Sequence, residues 1–155
     1  MSKHLLYALL WGSLMLLTAC GESAYSGGPV PYARVNYTLS LQEYPNFVKA
    51  NGFQVLPPVT SKRYEYDYIG YAGLLIWVGT DQAYHAADLC CPNCLLPDKP
   101  VTVDGSCAVC PTCGEQYDLL QGYAFPQRGF TRYALRAYNV QERVSVVGTE
   151  LYITN

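Results

Sequence analysis

The chain has 155 residues, half of them apolar and only 14% charged, with a formal net charge of −2. This balance excludes a surface basic enough to hold nucleic acid, and no acidic tail is present. The length suits one domain with a real core.

The first 19 residues read as a signal peptide. Lys3 provides a basic start, residues 5–17 are nearly unbroken apolar sequence, and small residues follow. The apolar run is shorter than the about 18 residues that a spanning helix needs. Leu17-Thr18-Ala19-Cys20 resembles the bacterial lipobox, which implies cleavage before Cys20 and lipidation of that residue. The expectation is a protein held to a membrane by acyl chains and not spanning it. Gly21, in place of Asp, favours the outer membrane by the sorting habit of enteric bacteria. Residues 20–33 then form a Gly-, Ser- and Pro-rich tether.

The β-domain is expected over residues 34–155. Residues 34–41, RVNYTLSL, alternate so that Val35, Tyr37, Leu39 and Leu41 share one face. Residues 42–62 hold Pro45, Gly52 and Pro57-Pro58 and read as loop, with a helical turn near 46–49. In 63–71, Tyr64, Tyr66 and Tyr68 fall on one face, opposite Glu65 and Asp67. GLLIWVG at 73–79 reads as a buried strand, hairpinned through Thr80-Asp81-Gln82 to AYHAAD at 83–88. Beyond the cysteines, strands fit 133–140, 143–147 and 150–154. Fifteen tyrosines suit pleated, half-buried surfaces. Arg128, Arg132, Arg136 and Arg143 read as a solvated sheet face. No stretch sustains helical periodicity, so the fold class is all-β: an antiparallel sandwich or barrel.

Six cysteines crowd residues 89–114. Cys91-Pro-Asn-Cys94 and Cys110-Pro-Thr-Cys113-Gly114 repeat one form, with 15 residues between Cys94 and Cys110. This is the spacing of a four-cysteine metal site. Two cysteines in a tight turn aim both sulfurs at one point, and two such turns make a tetrahedron with metal–sulfur distances of about 2.3 Å. Gly114 is suited to a positive φ where the chain leaves the loop. Cys91, Cys94, Cys110 and Cys113 are therefore the candidate ligands. Cys90 and Cys107 remain, as a candidate disulfide between the two loops. In an exported chain, three disulfides without metal are a further alternative.

Around the cysteines lie Ala83-Tyr84-His85-Ala86-Ala87-Asp88, then Glu115-Gln-Tyr117-Asp118 with Gly122 beyond, and later Leu135-Arg-Ala-Tyr138-Asn-Val140. This arrangement resembles the Rieske family, and a group of Rieske-like lipoproteins of the Bacteroidetes. The resemblance implies an antiparallel β-domain with a small cluster-binding subdomain made by two loops. The chain departs from that family at both cluster histidines: Asn93 and Cys113 stand in their places. Without them a four-cysteine [2Fe–2S] centre would lie near about −400 mV, like plant-type ferredoxins. Of the two histidines, His4 lies in the signal peptide and His85 reads as a strand or surface residue. No arginine precedes Arg34, so no twin-arginine export signal for a folded cluster protein is present. Zinc needs only deprotonated thiols and is the preferred ion, with [2Fe–2S] or iron as the alternative.

No phosphate loop occurs, and one histidine after Cys20 cannot supply a Ser-His-Asp order together with other roles. A C-x-x-C of the thioredoxin kind would need a βαβ context, which is lacking. The expectation is a non-enzymatic, lipid-anchored envelope protein that acts as an accessory or interaction subunit. The alternatives are a low-potential electron carrier and a disulfide-stapled fold without metal.

Overall fold

The computed structural model describes residues 28–45, 47, 51–58, 67–128, 132–146 and 148–155. The signal peptide, Cys20 and most of the tether lie outside them. Among the described residues no helix is long and apolar enough to cross a membrane.

The chain is nearly all β, and its antiparallel sheets form a nearly closed barrel. The strands are β1 (Val35–Ser40), β2 (Phe53–Leu56), β3 (Tyr68–Ile69), β4 (Leu74–Val78), β5 (Tyr84–Asp88), β6 (Thr102–Asp104), β7 (Cys107–Val109), β8 (Gln116–Asp118), β9 (Phe125–Arg128), β10 (Ala137–Ser145) and β11 (Gly148–Thr154). Seven of them form one sheet in the order β2-β4-β5-β10-β11-β1-β3. The other four, β6-β7-β8-β9, form a small meander.

The alternation in β1 works as read: Val35, Tyr37 and Leu39 are buried on one face. Leu41 is buried too, but in a 3-10 turn, Leu41–Glu43, which ends the strand. β4 is buried at every position because it has a core on each side. Leu74, Ile76 and Val78 point into the barrel with Tyr37, Leu39, Ala86, Leu151 and Ile153. Leu75 and Trp77 point outward and meet Leu89, Cys90, Cys91, Ala108, Cys110, Tyr117 and Leu119 in a second core. That second core lies between the barrel wall and the small sheet. An apolar run flanked by two layers is what a strand covered on both faces requires.

The expected hairpin of β4 and β5 forms, with Trp77 opposite His85. It also grips the small sheet. Thr80 donates from its N–H (2.8 Å) and its hydroxyl (2.9 Å) to the Leu120 carbonyl, and the Trp77 indole N–H donates to the Gln121 carbonyl at 3.3 Å.

Several expectations change. The loop expected over 42–62 contains β2, which pairs with β4 from Phe53 opposite Trp77 to Leu56 opposite Leu74. The helical turn near 46–49 lies largely outside the described residues, as do Tyr64, Glu65 and Tyr66. At the end of that tyrosine run, Asp67 is buried and Tyr68 is exposed. The segments 133–140 and 143–147 are not two strands: β10 is continuous from Ala137 to Ser145. Gly148, in the left-handed region at φ +132°, turns it into β11. Glu142 and Arg143, which looked like a break, sit on an exposed part of β10 where charge costs nothing. Arg136 and Arg143 do not share one face either. Arg136 donates to the Val30 carbonyl at 2.5 Å, whereas the Arg143 guanidinium lies 4.4 Å over the Tyr152 ring. Past the cysteine loops of 89–114, β8 and β9 continue the small sheet.

Candidate metal centre

Each knuckle begins where a strand of a different sheet ends. The first follows β5 of the barrel, and the second follows β7 of the small sheet. Both close with the same backbone bond: the Leu95 N–H donates to the Cys91 carbonyl (2.9 Å), and the Gly114 N–H to the Cys110 carbonyl (2.9 Å). Both then leave through the left-handed region, with φ +57° at Leu95 and +73° at Gly114. The first knuckle thus places a leucine where the second has the glycine that this conformation favours.

The two turns bring the four expected sulfurs together. The Sγ atoms of Cys91, Cys94, Cys110 and Cys113 all lie within 4.8 Å of one another. Cys91 and Cys113 are 3.8 Å apart, and so are Cys94 and Cys110. Each of these contacts joins one knuckle to the other. A tetrahedron with metal–sulfur bonds of about 2.3 Å has edges of about 3.8 Å, so the spacing fits one four-coordinate ion. Cys91 and Cys110 are buried in the second core, Cys94 is half-buried and Cys113 is exposed. The centre is dry on the barrel side and wet on the other.

The surroundings favour thiolates unequally. Burial pushes the Cys91 thiol up, against the pull of the Tyr117 hydroxyl and the backbone N–H groups of Cys94 and Asn93. The Tyr117 hydroxyl sits 3.2 Å from Cys91 Sγ. Burial holds that hydroxyl protonated far above the ordinary tyrosine range, so it has a proton to donate once Cys91 is a thiolate. Cys94 is pushed up by desolvation, and then by its sulfur neighbours Cys113 and Cys110. For Cys113, desolvation is outweighed by donation from the Glu115 N–H, the Asn93 side chain, Cys94 and Cys110, which lowers it to about 7. Before a metal enters, Cys113 is the natural thiolate of the group.

The remaining candidates fall elsewhere. Asn93 is exposed and serves Cys113 as a donor. Cys90 and Cys107 do not pair, and all six cysteines among the described residues are free thiols. Cys90 is buried with its sulfur 3.7 Å from the Cys91 carbonyl, and its thiol is pushed up to about 12 by burial and by Asp88, Cys91 and Cys110. Cys107 faces the Gln127 side-chain oxygen at 3.7 Å. The two loops meet at the four-sulfur group instead. His85 is no ligand of the group. Its ring packs 5.5 Å from Trp77, and its Nε2 lies 3.1 Å from both carboxylate oxygens of Asp81, whose carboxyl this hydrogen bond lowers.

Two residues of the site entered the sequence reading only as part of the pattern around the cysteines, with no role of their own. Tyr117 reaches the cluster because β8 lies beside β7, a pairing that no local pattern announces. Asp88 is wholly buried at the end of β5, three residues before the first ligand.

Fold and site together define the class: an all-β domain with a second, small sheet and a four-cysteine group able to hold a metal ion. No family model, curated protein or solved structure matches the chain significantly.

Proposed function

We propose that Cys91, Cys94, Cys110 and Cys113 hold one zinc ion that rivets the small sheet to the barrel. The observation that carries this reading is the mutual closeness of the four sulfurs, all within 4.8 Å. A two-iron cluster would place a second metal and bridging sulfides between the thiolate pairs and spread them apart. The chemistry of such a zinc site is structural: four thiolates fill the coordination sphere and leave no position for substrate. A small sheet of three- and four-residue strands cannot stabilise itself, and a metal crosslink offsets that deficit.

In the wider reading, the protein is a non-redox, Rieske-like lipoprotein of the cell envelope, anchored through Cys20 at the outer membrane and acting as an accessory or interaction subunit. Support comes from the ordered signal, Leu-Thr-Ala-Cys20 and tether in the sequence, and from the residues flanking the knuckles that resemble the Rieske pattern. It is a binding and scaffold role and not an enzymatic one.

Elemental analysis of protein exported through its own signal tests the metal. One zinc per chain is the expected result. Two irons with acid-labile sulfide would replace the reading by low-potential electron transfer, and no metal with three disulfides would reduce the likeness to fold alone. Metabolic labelling with a radioactive fatty acid, lost in Cys20→Ala, tests the anchor.

A further inference from the structure

A buried carboxylate needs a reason, because its desolvation is costly unless donors surround it. Asp88 is 0% exposed. Its Oδ1 accepts from the N–H of Ala72 (3.0 Å) and of Cys90 (2.8 Å). Its Oδ2 accepts from the N–H of Tyr71 (2.6 Å) and from the Tyr138 hydroxyl (2.7 Å). Among the described residues four donors and no acceptor face it, which fills the lone-pair directions of a carboxylate. The donors come from three places: the turn after β3, strand β10, and the residue immediately before the ligand Cys91. The bond to Cys90 is a side-chain turn of the aspartate type, which bends the chain as it leaves β5.

The backbone adds to this anchor. The Asp88 N–H donates to the Arg136 carbonyl (2.8 Å), and the Leu89 N–H to the Gly73 carbonyl (3.1 Å). Gly70, at φ +81°, closes over the pair so tightly that a Cβ there would lie 2.5 Å from Asp88 Oδ2 and 2.8 Å from the Tyr138 oxygen. At Gly114, the exit residue of the second knuckle, nothing lies within 4 Å of the place a methyl group would take.

We infer that Asp88 and Tyr138 form a latch that presets the first knuckle for metal, with Asp88 as a positioning residue for Cys91. The inference rests on the metal reading above. A latch outside the ligand shell acts by holding the Cys91 backbone, and so the direction of its sulfur, before the ion arrives. Loss of such outer partners typically costs about ten- to hundredfold in metal affinity. A merely structural Asp88 would lower stability and leave the site's affinity where it was.

The test uses the full chain loaded with zinc, and separately with cobalt(II), whose thiolate charge-transfer and d–d absorption report tetrahedral geometry. Asp88→Asn, Tyr138→Phe and a control, Ile153→Val in the barrel core, are compared. The expected result for Asp88→Asn is zinc transfer to a chromogenic chelator about tenfold faster or more, together with a shifted cobalt spectrum. Tyr138→Phe, which removes one donor of the four, should move both readouts in the same direction by less. Ile153→Val should lower the melting temperature and leave both readouts within twofold of wild type. Wild-type release rates and an unchanged cobalt spectrum in both latch variants would overturn the inference while the metal reading stands. If Asp88→Asn does not fold, Tyr138→Phe alone decides. A wild-type chain that gives no cobalt–thiolate absorption would overturn the metal reading, and the latch with it.

Discussion

The two knuckles share sequence form, closing bond and exit conformation, yet they stand in opposite surroundings. The first is sunk into the second core and braced by Asp88, with Cys91 and Pro92 buried. In the second only Cys110 is buried, and Pro111, Thr112, Cys113 and Gly114 face solvent. The first can therefore carry a leucine in a strained conformation, because packing of Leu95 against the second core offsets the strain. The second has no such compensation and uses glycine. A local motif sets the turn, and the layer behind it sets how much each residue matters.

Metal removal should break this asymmetry most strongly. Structural zinc binds with an apparent free energy of about 10–16 kcal/mol in small zinc domains, and folding depends on it. Here the barrel keeps its own core, so damage should be uneven. After chelation, amide hydrogen exchange is expected to rise first in 102–118, while 35–40 and 148–154 stay protected. Equal loss of protection in both would mean that the small sheet and the barrel form one cooperative unit.

Ligand substitutions come next. Cys91→Ser should destabilise more than Cys113→Ser, by about 1–3 kcal/mol, because it leaves a buried group poorly paired beside Tyr117. Both should lose the metal. Denaturant melts of the two variants, each with its metal content measured, check this ordering.

Affinity should also fall with acid. Cys91 and Cys94 lie above the ordinary thiol range, so metal entry must displace their protons. Cys113, at about 7, adds a further proton to displace once the pH drops below that value. The slope of log affinity against pH should therefore steepen below about 7. In the metal-free protein the sign is the same. A folded value of about 7, below the ordinary 9.0, contributes stability above pH 9 that fades as pH falls through 7. Chelator competition across pH 6–9 gives the first result. Iodoacetamide labelling of the metal-free chain should modify Cys113 first, with a midpoint near 7.

The smallest effects sharpen the comparison at the exit residues. Gly114→Ala should cost about 1–2 kcal/mol, purely from the left-handed backbone, since no neighbour obstructs the methyl group. Leu95→Gly should change stability by less, because relief of the same strain is countered by lost packing. A large loss in Leu95→Gly would show that packing dominates there.

Much of the site was legible because it is local. The repeat of Cys-Pro-x-Cys and the role of Gly114 lie within five residues, where turn geometry follows from residue type. The β4–β5 hairpin and the face of β1 were legible for the same reason: alternation and a short turn. β2 was hidden among prolines and glycine, and its pairing with β4 is a contact across about 20 residues of sequence. The unbroken β10 was hidden because charged residues on an exposed strand look like a break.

By itself the sequence determined the all-β class, the four cysteines that gather and the geometry of each knuckle, since backbone preference and spacing act over short distances. Only the tertiary structure decided that the knuckles meet, that Cys90 and Cys107 stay apart, and that Tyr117, Asp88 and Tyr138 serve the site. Those facts depend on which strands lie side by side and which faces are left to bury. Burial is a property of the assembled layers, and no single segment carries it.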